Sequence, residues 1–241
     1  MSVYIHGGLR SPIGVLNGQY KHMRPEILGS QVIDEIINRY TISHIDGIFC
    51  GNAVGTGGNL GRLMGLMCNL PNSVPAITVD MQCASALMSI EIAYAHIVSG
   101  IMDSAIAGGI ESSSLQPERV YASGDDREGA YKVAQFTPQD QSHLAMLEGA
   151  ERTIHKHNVT KEDLYPHIIG SHQRASAALD NPYLQSYIMP ITIDGKRCID
   201  ECIRPTMNEK LLSRMKPLLG ADSITNAGNA CLTHDGAAFV Y

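Results

Sequence analysis

Two periods of apolar residues alternate along the first half of the chain, and each change of period marks a predicted element. Residues 3–6 (Val3, Tyr4, Ile5, His6) read as a short strand, followed by a loop rich in Gly and Pro through Gly18. Over residues 25–40, Ile27, Leu28, Val32, Ile36 and Ile37 recur at helical spacing behind Pro25, which sits at an N-terminal position. Residues 46–51 predict a second strand, and the Gly-rich residues 51–61 lead into a short helix ending at Cys68. A strand at residues 77–79, a helix over 83–99 and a strand at 104–108 complete a β-α-β-α-β-α-β order. That alternation predicts a layered α/β domain with helices on both faces of its sheet. The 83–99 helix is apolar on almost every face (Leu87, Met88, Ile92, Ile97, Val98), the pattern of a helix buried in a core.

The pattern changes after Gly109. Residues 115–222 are more polar and less regular, with helices predicted at 138–158 and 161–179, the second opening behind Thr160 as a helix cap. Residues 188–193 read as a strand and 208–215 as a short helix. Residues 235–241 are strand-like again and are expected to return to the first sheet. The predicted organisation is a core of residues 1–115 and 224–241 interrupted by an insertion over 116–223.

Charge narrows the possible partners. The formal net charge is −6, which leaves no basic footprint and excludes nucleic acid as the expected ligand. No apolar run approaches a membrane span, and the first residues carry no charged region followed by an apolar one, so a cytoplasmic protein is expected. In that compartment the six cysteines are expected to be reduced thiols. Cys198 and Cys202 have no second Cys or His pair nearby to complete a zinc site, and His155 with His157 reads as solvated surface. The glycines of residues 51–59 match neither dinucleotide nor phosphate-loop spacing and read as turn and close-packing glycines.

Cys83 is the candidate with chemistry. Predicted at the start of a helix, its thiol would face unpaired backbone N–H groups that favour the thiolate, the form that attacks carbon. The alternative at this point is a small buried hydrophobe, the common fate of a free cysteine.

The motifs resemble those of the thiolases. Arg10-Ser11-Pro12-Ile13-Gly14 is similar to the family's R-[TS]-P-[IF]-G opening, Cys83-Ala84-Ser85-Ala86-Leu87 to C-G-S-G-L, and Ala107 through Ser114 to A-G-G-x-E-S-M-S. Met146 through Glu151 and Ser171 through Ala175 resemble the family's loop-domain pattern. Arg204-Pro205-Thr206 and Ala227 through Ala238 resemble R-P-x-[TS] and A-G-N-A-S-x-x-x-D-G-A-A. The resemblance implies a thiolase-like N-terminal domain, a mixed sheet with helices on both faces plus an inserted helix-rich loop domain. It also implies an acyl-CoA C-acyltransferase in which Cys83 carries the acyl group. Coenzyme A or acyl-CoA is then the substrate, with no permanently bound cofactor, and Arg174, Arg204, Ser213 and Cys231 are the candidate coenzyme A contacts. Ala84 and Ala86 stand where the family has glycines, and Cys231 where it has a serine.

Family members continue into a second α/β domain with N-E-A-F, G-H-P and C-x-G-G-G-x-G motifs, and none of these runs occurs in the 241 residues. The resemblance therefore implies an N-terminal half, truncated or one of two complementing chains, inactive alone. Its uncovered apolar surface is expected to meet a second copy or a complementary C-terminal chain, through an interface near residues 77–80. The competing reading is a catalytically silent coenzyme A-binding or assembly module that keeps the fold.

Overall fold

Along the central strands the side chains divide by parity, and that division decides which helices each face of the sheet receives. The computed structural model describes residues 2–55, 57–135, 138, 142 and 144–241. In chain order its elements begin with β1 (Gly8–Arg10), β2 (Gly14–Val15), α1 (Pro25–Arg39), β3 (Gly47–Gly51), α2 (Leu60–Met67), β4 (Ala76–Val79), α3 (Ser85–Val98) and β5 (Ala105–Ser112). They continue with β6 (Arg119–Val120), β7 (Ala130–Tyr131), α4 (Ala145–Lys156), α5 (Lys161–Ala178), α6 (Pro182–Gln185), β8 (Thr192–Ile193), β9 (Lys196–Arg197), α7 (Glu209–Leu212) and β10 (His234–Val240).

The main sheet has the order β1-β10-β5-β3-β4, with β2 also paired to β10. Strands β5, β3 and β4 run parallel, while β10 is antiparallel to β5, β1 and β2. Ile48, Cys50, Ile106 and Ile110 share one buried cluster with Leu28, Val32, Ile33 and Ile36 of α1 and Leu60 and Met64 of α2. Phe49, Ala105 and Ala107 point the other way and pack with Ala93 of α3. This is the alternation a pleated strand imposes. The fold is α/β, a mixed sheet with helices on both faces. Each fully buried Ile or Leu in these layers contributes roughly 1.5–3 kcal/mol of transfer free energy.

Two predicted features shift. Residues 3–6 are not a strand: Tyr4 and Ile5 are exposed, and the first strand is β1, whose Leu9 sinks into the core. The His6 N–H bonds the Tyr241 carbonyl at 2.7 Å, and Gly8 opposes Val240 in the ladder with β10. Helix α3 is apolar all round as predicted but is covered along one stripe only. Ser85, Ser89 and Ala93 are buried against the sheet, whereas Leu87, Tyr94 and Val98 are exposed.

The chain divides into two compact units: Met1–Pro117 with Tyr183–Cys202 and Thr233–Tyr241, and Glu118–Pro182 with Ile203–Leu232. Residues 183–202, read from sequence as part of the insertion, thus group with the sheet. Carboxylates account for that return. The Arg10 guanidinium donates to both Asp200 oxygens at 2.7 Å and Asp200 also accepts the Ile13 N–H at 2.8 Å. Glu201 accepts the N–H groups of Val15 at 2.9 Å and Gln19 at 3.1 Å. The strand predicted at 188–193 is regular only at β8, while the Arg10 N–H bonds the Tyr187 carbonyl and the Met189 N–H bonds that of Arg10.

The second unit is built on α4, α5 and α7. Thr160 and Asp163 form a reciprocal cap at the start of α5, and Tyr165, Met207 and Leu212 form a small core. The helix predicted at 138–158 is observed as Ala145–Lys156, and much of its predicted opening lies outside the described residues. Glu151 is the polar centre of this unit. Its carboxylate accepts the Ile224 N–H at 2.8 Å, the Thr225 N–H at 3.0 Å, the Ser223 hydroxyl at 3.1 Å and the Thr225 hydroxyl. Burial opposes its ionisation, but these donors outweigh it and hold the carboxyl at about 2. No helix among the described residues is long and apolar enough to cross a membrane.

Ser89 ties α3 to the sheet. Its hydroxyl accepts the Gly108 N–H at 2.9 Å and donates within 2.8 Å of both the Gly108 and Ala86 carbonyls. Ser89→Ala should cost about 1–3 kcal/mol in denaturant unfolding, because the buried Gly108 groups lose their partner. Glu151, with its depressed pKa, should contribute stability above its unfolded value near 4.5, lost as pH falls toward about 2. In denaturant titrations Glu151→Gln should therefore lie well below wild type at pH near 6, and the gap should close on acidification.

Candidate active site

The parallel strands β3, β4 and β5 end along one edge of the sheet, with Gly51 opposite Val79 on one side and Gly109 on the other. Loops leaving the carboxyl ends of such strands are where open α/β sheets assemble their sites. The Asn52 N–H bonds the Val79 carbonyl at 3.0 Å, which joins the ends of β3 and β4. Glu111, on β5, holds the loop beyond β3, accepting the Asn52 amide at 2.9 Å and the Ala53 and Val54 N–H groups at 3.0 Å each. In the sequence Glu111 stands out only as one position of the Ala107–Ser114 motif. A lone carboxylate closing an apolar strand was the signal available for it.

Cys83 sits on the turn from β4 to α3. The sequence placed it as the first residue of the helix, but the first helical residue is Ser85 and the cap position is Ala84. Two turn bonds, Ala84 N–H to Met81 carbonyl and Ser85 N–H to Gln82 carbonyl, both 3.1 Å, shape the segment. Gln82 adopts φ +52°, the left-handed region that non-glycine residues rarely enter. Cys83 itself is exposed. Among the described residues no side chain hydrogen-bonds its sulfur, so the structure pairs it with no base.

Glycine makes the close approach of this turn possible. A Cβ on Gly51 would lie 2.4 Å from the Ala86 nitrogen and 2.5 Å from the Ser85 carbonyl carbon. One on Gly109 would lie 3.1 Å from the Ala86 methyl. The start of α3 therefore rests directly on the ends of β3 and β5.

The other thiols behave differently. Burial pushes Cys50 up to about 12, and burial with the nearby Asp34 carboxylate pushes Cys68 to about 12, so both remain protonated. Cys198 is buried and likewise raised, burial being the main cause. Cys231 is exposed and its thiol points to the Leu232 carbonyl at 3.3 Å.

The four candidate coenzyme A contacts all belong to the second unit, and Cys83 to the first. Arg174 is exposed on α5, where its guanidinium lies over the helix backbone beside Gly170. The exposed Arg204 is tied back to α5 by its N–H, which donates to His172 Nδ1 at 3.2 Å. Ser213 closes α7, its hydroxyl on the Lys210 carbonyl at 3.2 Å. These positions leave cationic and polar groups open to solvent.

Comparison with known proteins bears on the whole arrangement. The family pattern described as "Thiolase, N-terminal domain" matches residues 3–241. The chain belongs to the thiolase family. It is 33% identical over 241 residues to "Putative acetyl-CoA C-acetyltransferase VraB" of Staphylococcus epidermidis, a match covering 96% of this chain and 62% of that protein. Among solved structures it resembles the Bacillus anthracis acetyl-CoA acetyltransferase, with TM-score 0.84 and 25% identity over 98% of this chain and 64% of the other. It also resembles human mitochondrial 3-ketoacyl-CoA thiolase, solved in complex with CoA, with TM-score 0.85 and 25% identity over 98% and 63% of the two chains. This thiolase chain thus spans under two thirds of the length of these relatives.

The exposure of its thiols sets an order of reactivity. Iodoacetamide should modify Cys83 and Cys231 first in the folded chain, and Cys50 and Cys68 only when denaturant opens the core, as peptide mass mapping would record.

Proposed function

We propose that this thiolase chain supplies the nucleophile-bearing part of an acyl-CoA C-acyltransferase, with Cys83 as the acyl carrier. The observation that carries the proposal is the exposed Cys83 on a fixed turn at the carboxyl ends of β3, β4 and β5, within a thiolase N-terminal domain. The Cys83 thiolate attacks the thioester carbonyl of acyl-CoA, an Sγ–C bond forms, and coenzyme A leaves as its thiolate. The tetrahedral oxyanion formed on the way is held by backbone N–H groups of the turn, Cys83's own among them. In the biosynthetic direction the Cys83 thioester then acylates the carbanion of a second acetyl-CoA. In the degradative direction the Cys83 thiolate attacks the keto carbon of a 3-ketoacyl-CoA, and the bond between that carbon and the α-carbon breaks. Acetyl-CoA leaves as a carbanion that is then protonated, and the acyl group passes from Cys83 to the thiolate of free coenzyme A.

Arg174 and Arg204 serve as phosphate contacts for coenzyme A in this reading, with Ser213 and Cys231 along its tail. The partner is a second copy that covers the apolar surface, or a complementary chain that brings the activating histidine and the proton-moving cysteine. The setting is cytoplasmic lipid metabolism. A second reading, a coenzyme A-binding or assembly module without catalysis, draws support from the absence, among the described residues, of a side chain bonded to the Cys83 sulfur.

Two measurements separate these readings. Cleavage of acetoacetyl-CoA should be undetectable with the chain alone and should appear when a complementary C-terminal thiolase domain is supplied. Cys83→Ser should then lower kcat at least roughly 10³-fold, and complementation without turnover would favour the silent module. In titration calorimetry Arg174→Glu and Arg204→Glu should each weaken coenzyme A binding about tenfold, the scale of one charged hydrogen bond. Unchanged binding in both variants would remove these residues from the site.

A further inference from the structure

The turn that presents Cys83 is held in an unfavourable shape by two side chains, and one of them has a function beyond folding. Gln82, immediately before the cysteine, is at φ +52°, a conformation that costs a non-glycine residue on the order of 1–3 kcal/mol and persists only when its surroundings over-determine it. The surroundings here are specific. The Asp80 carboxylate accepts the Gln82 N–H at 2.9 Å. The Ser85 hydroxyl accepts the Met81 N–H at 2.8 Å and donates to the Gln82 carbonyl at 2.6 Å. Ser85 is itself 4% exposed, so its hydroxyl is shielded from solvent. Its hydroxyl therefore binds the Asp80–Met81 peptide through its N–H and the Gln82–Cys83 peptide through its carbonyl, and the Gln82 carbonyl belongs to the same peptide plane as the Cys83 N–H.

We infer that Ser85 is a positioning residue for Cys83: its hydroxyl locks the Gln82–Cys83 peptide so that the Cys83 N–H is aimed where an oxyanion forms on a carbonyl attacked by the Cys83 sulfur. The inference rests on the reading of Cys83 as nucleophile. Asp80 fixes the preceding peptide from the other side, while Gly51 lets the start of α3 sit close enough to the sheet for Ser85 to be buried. Without the hydroxyl, the Gln82 carbonyl keeps only the Ser85 N–H at 3.1 Å and the Met81 N–H loses its acceptor, so the Gln82–Cys83 peptide plane can turn. The sulfur stays exposed and able to react, but the N–H no longer tracks it.

That difference separates two reactions of the same thiol. Acetylation by p-nitrophenyl acetate forms an Sγ–C bond through a tetrahedral oxyanion, expels p-nitrophenolate and releases the thiol proton to buffer. Alkylation by iodoacetamide displaces iodide and forms no oxyanion. Both rates at Cys83 are to be measured on the 241-residue chain by peptide mass mapping, with Cys231 as internal reference and Cys50 and Cys68 as reporters of unfolding. Ser85→Ala should lower Cys83 acetylation roughly tenfold or more, as misoriented groups do, while its alkylation changes less than about twofold.

If Ser85→Ala exposes Cys50 and Cys68, the double variant Ser85→Ala/Gln82→Gly recovers stability by removing the backbone strain at residue 82, because glycine takes positive φ without cost, but leaves the 82–83 peptide without the hydroxyl that orients it. It should keep the low acetylation-to-alkylation ratio. A wild-type ratio in whichever variant keeps its core thiols protected overturns the positioning role and leaves Cys83 as nucleophile. Failure of wild-type Cys83 to take up acetyl at all, with Cys231 acetylated normally, overturns the nucleophile reading beneath it.

Discussion

Everything at the candidate site depends on how closely the first turn of α3 approaches the sheet. Backbone packed on backbone is a constraint that admits no side chain, and Gly51 supplies the missing Cβ where Ala86 and Ser85 come down on β3. Once that contact is made, Ser89 can reach through to Gly108 and Ser85 can reach back to the turn. The helix is pinned by hydroxyls along its buried stripe where a larger apolar side chain would have held it away. A helix start lifted by the width of a methyl group would lose these bonds together, and Cys83 would lose its fixed place at the strand ends.

Carboxylates organise the loops by a common device. Glu111 gathers two backbone N–H groups and an amide beyond β3, Asp200 and Glu201 gather those of residues 10–19, and Glu151 those of residues 224–225. Asp235, fully buried, accepts the N–H and hydroxyl of Ser114. In each case a segment without regular structure has its orphan donors satisfied by one charged group, and charge-assisted bonds of this kind are stronger than neutral ones. Long loops thereby become rigid enough to belong to a core.

The uncovered stripe of α3 follows from the same geometry. A sheet can bury only one side of a helix, and Ser85, Ser89 and Ala93 use that side. Leu87, Tyr94 and Val98 are left outside it, which is why a helix that reads as core on every face is only partly covered among the described residues.

The sequence by itself determined the layered α/β alternation, because strand and helix periods are local properties. Helix α1 was legible from Pro25 and its apolar spacing, α5 from the Thr160 cap, and Cys83 from its place between a strand and a helix. The return of residues 235–241 to the sheet was legible as a late apolar run. Tertiary structure alone decided the rest. Residues 3–6 look like a strand, yet Tyr4 and Ile5 stand exposed and the first strand opens only at Gly8. Residues 188–193 read as a strand, but no local pattern says which layer they join: Met189 and Ile191 sink into the core of the first unit, while Asp200 and Glu201 bond a loop far back in the chain. The roles of Ser85, Ser89 and Glu111 were hidden for the same reason. A buried hydroxyl or carboxylate acts through partners brought to it by the fold, and no local pattern records who those partners are.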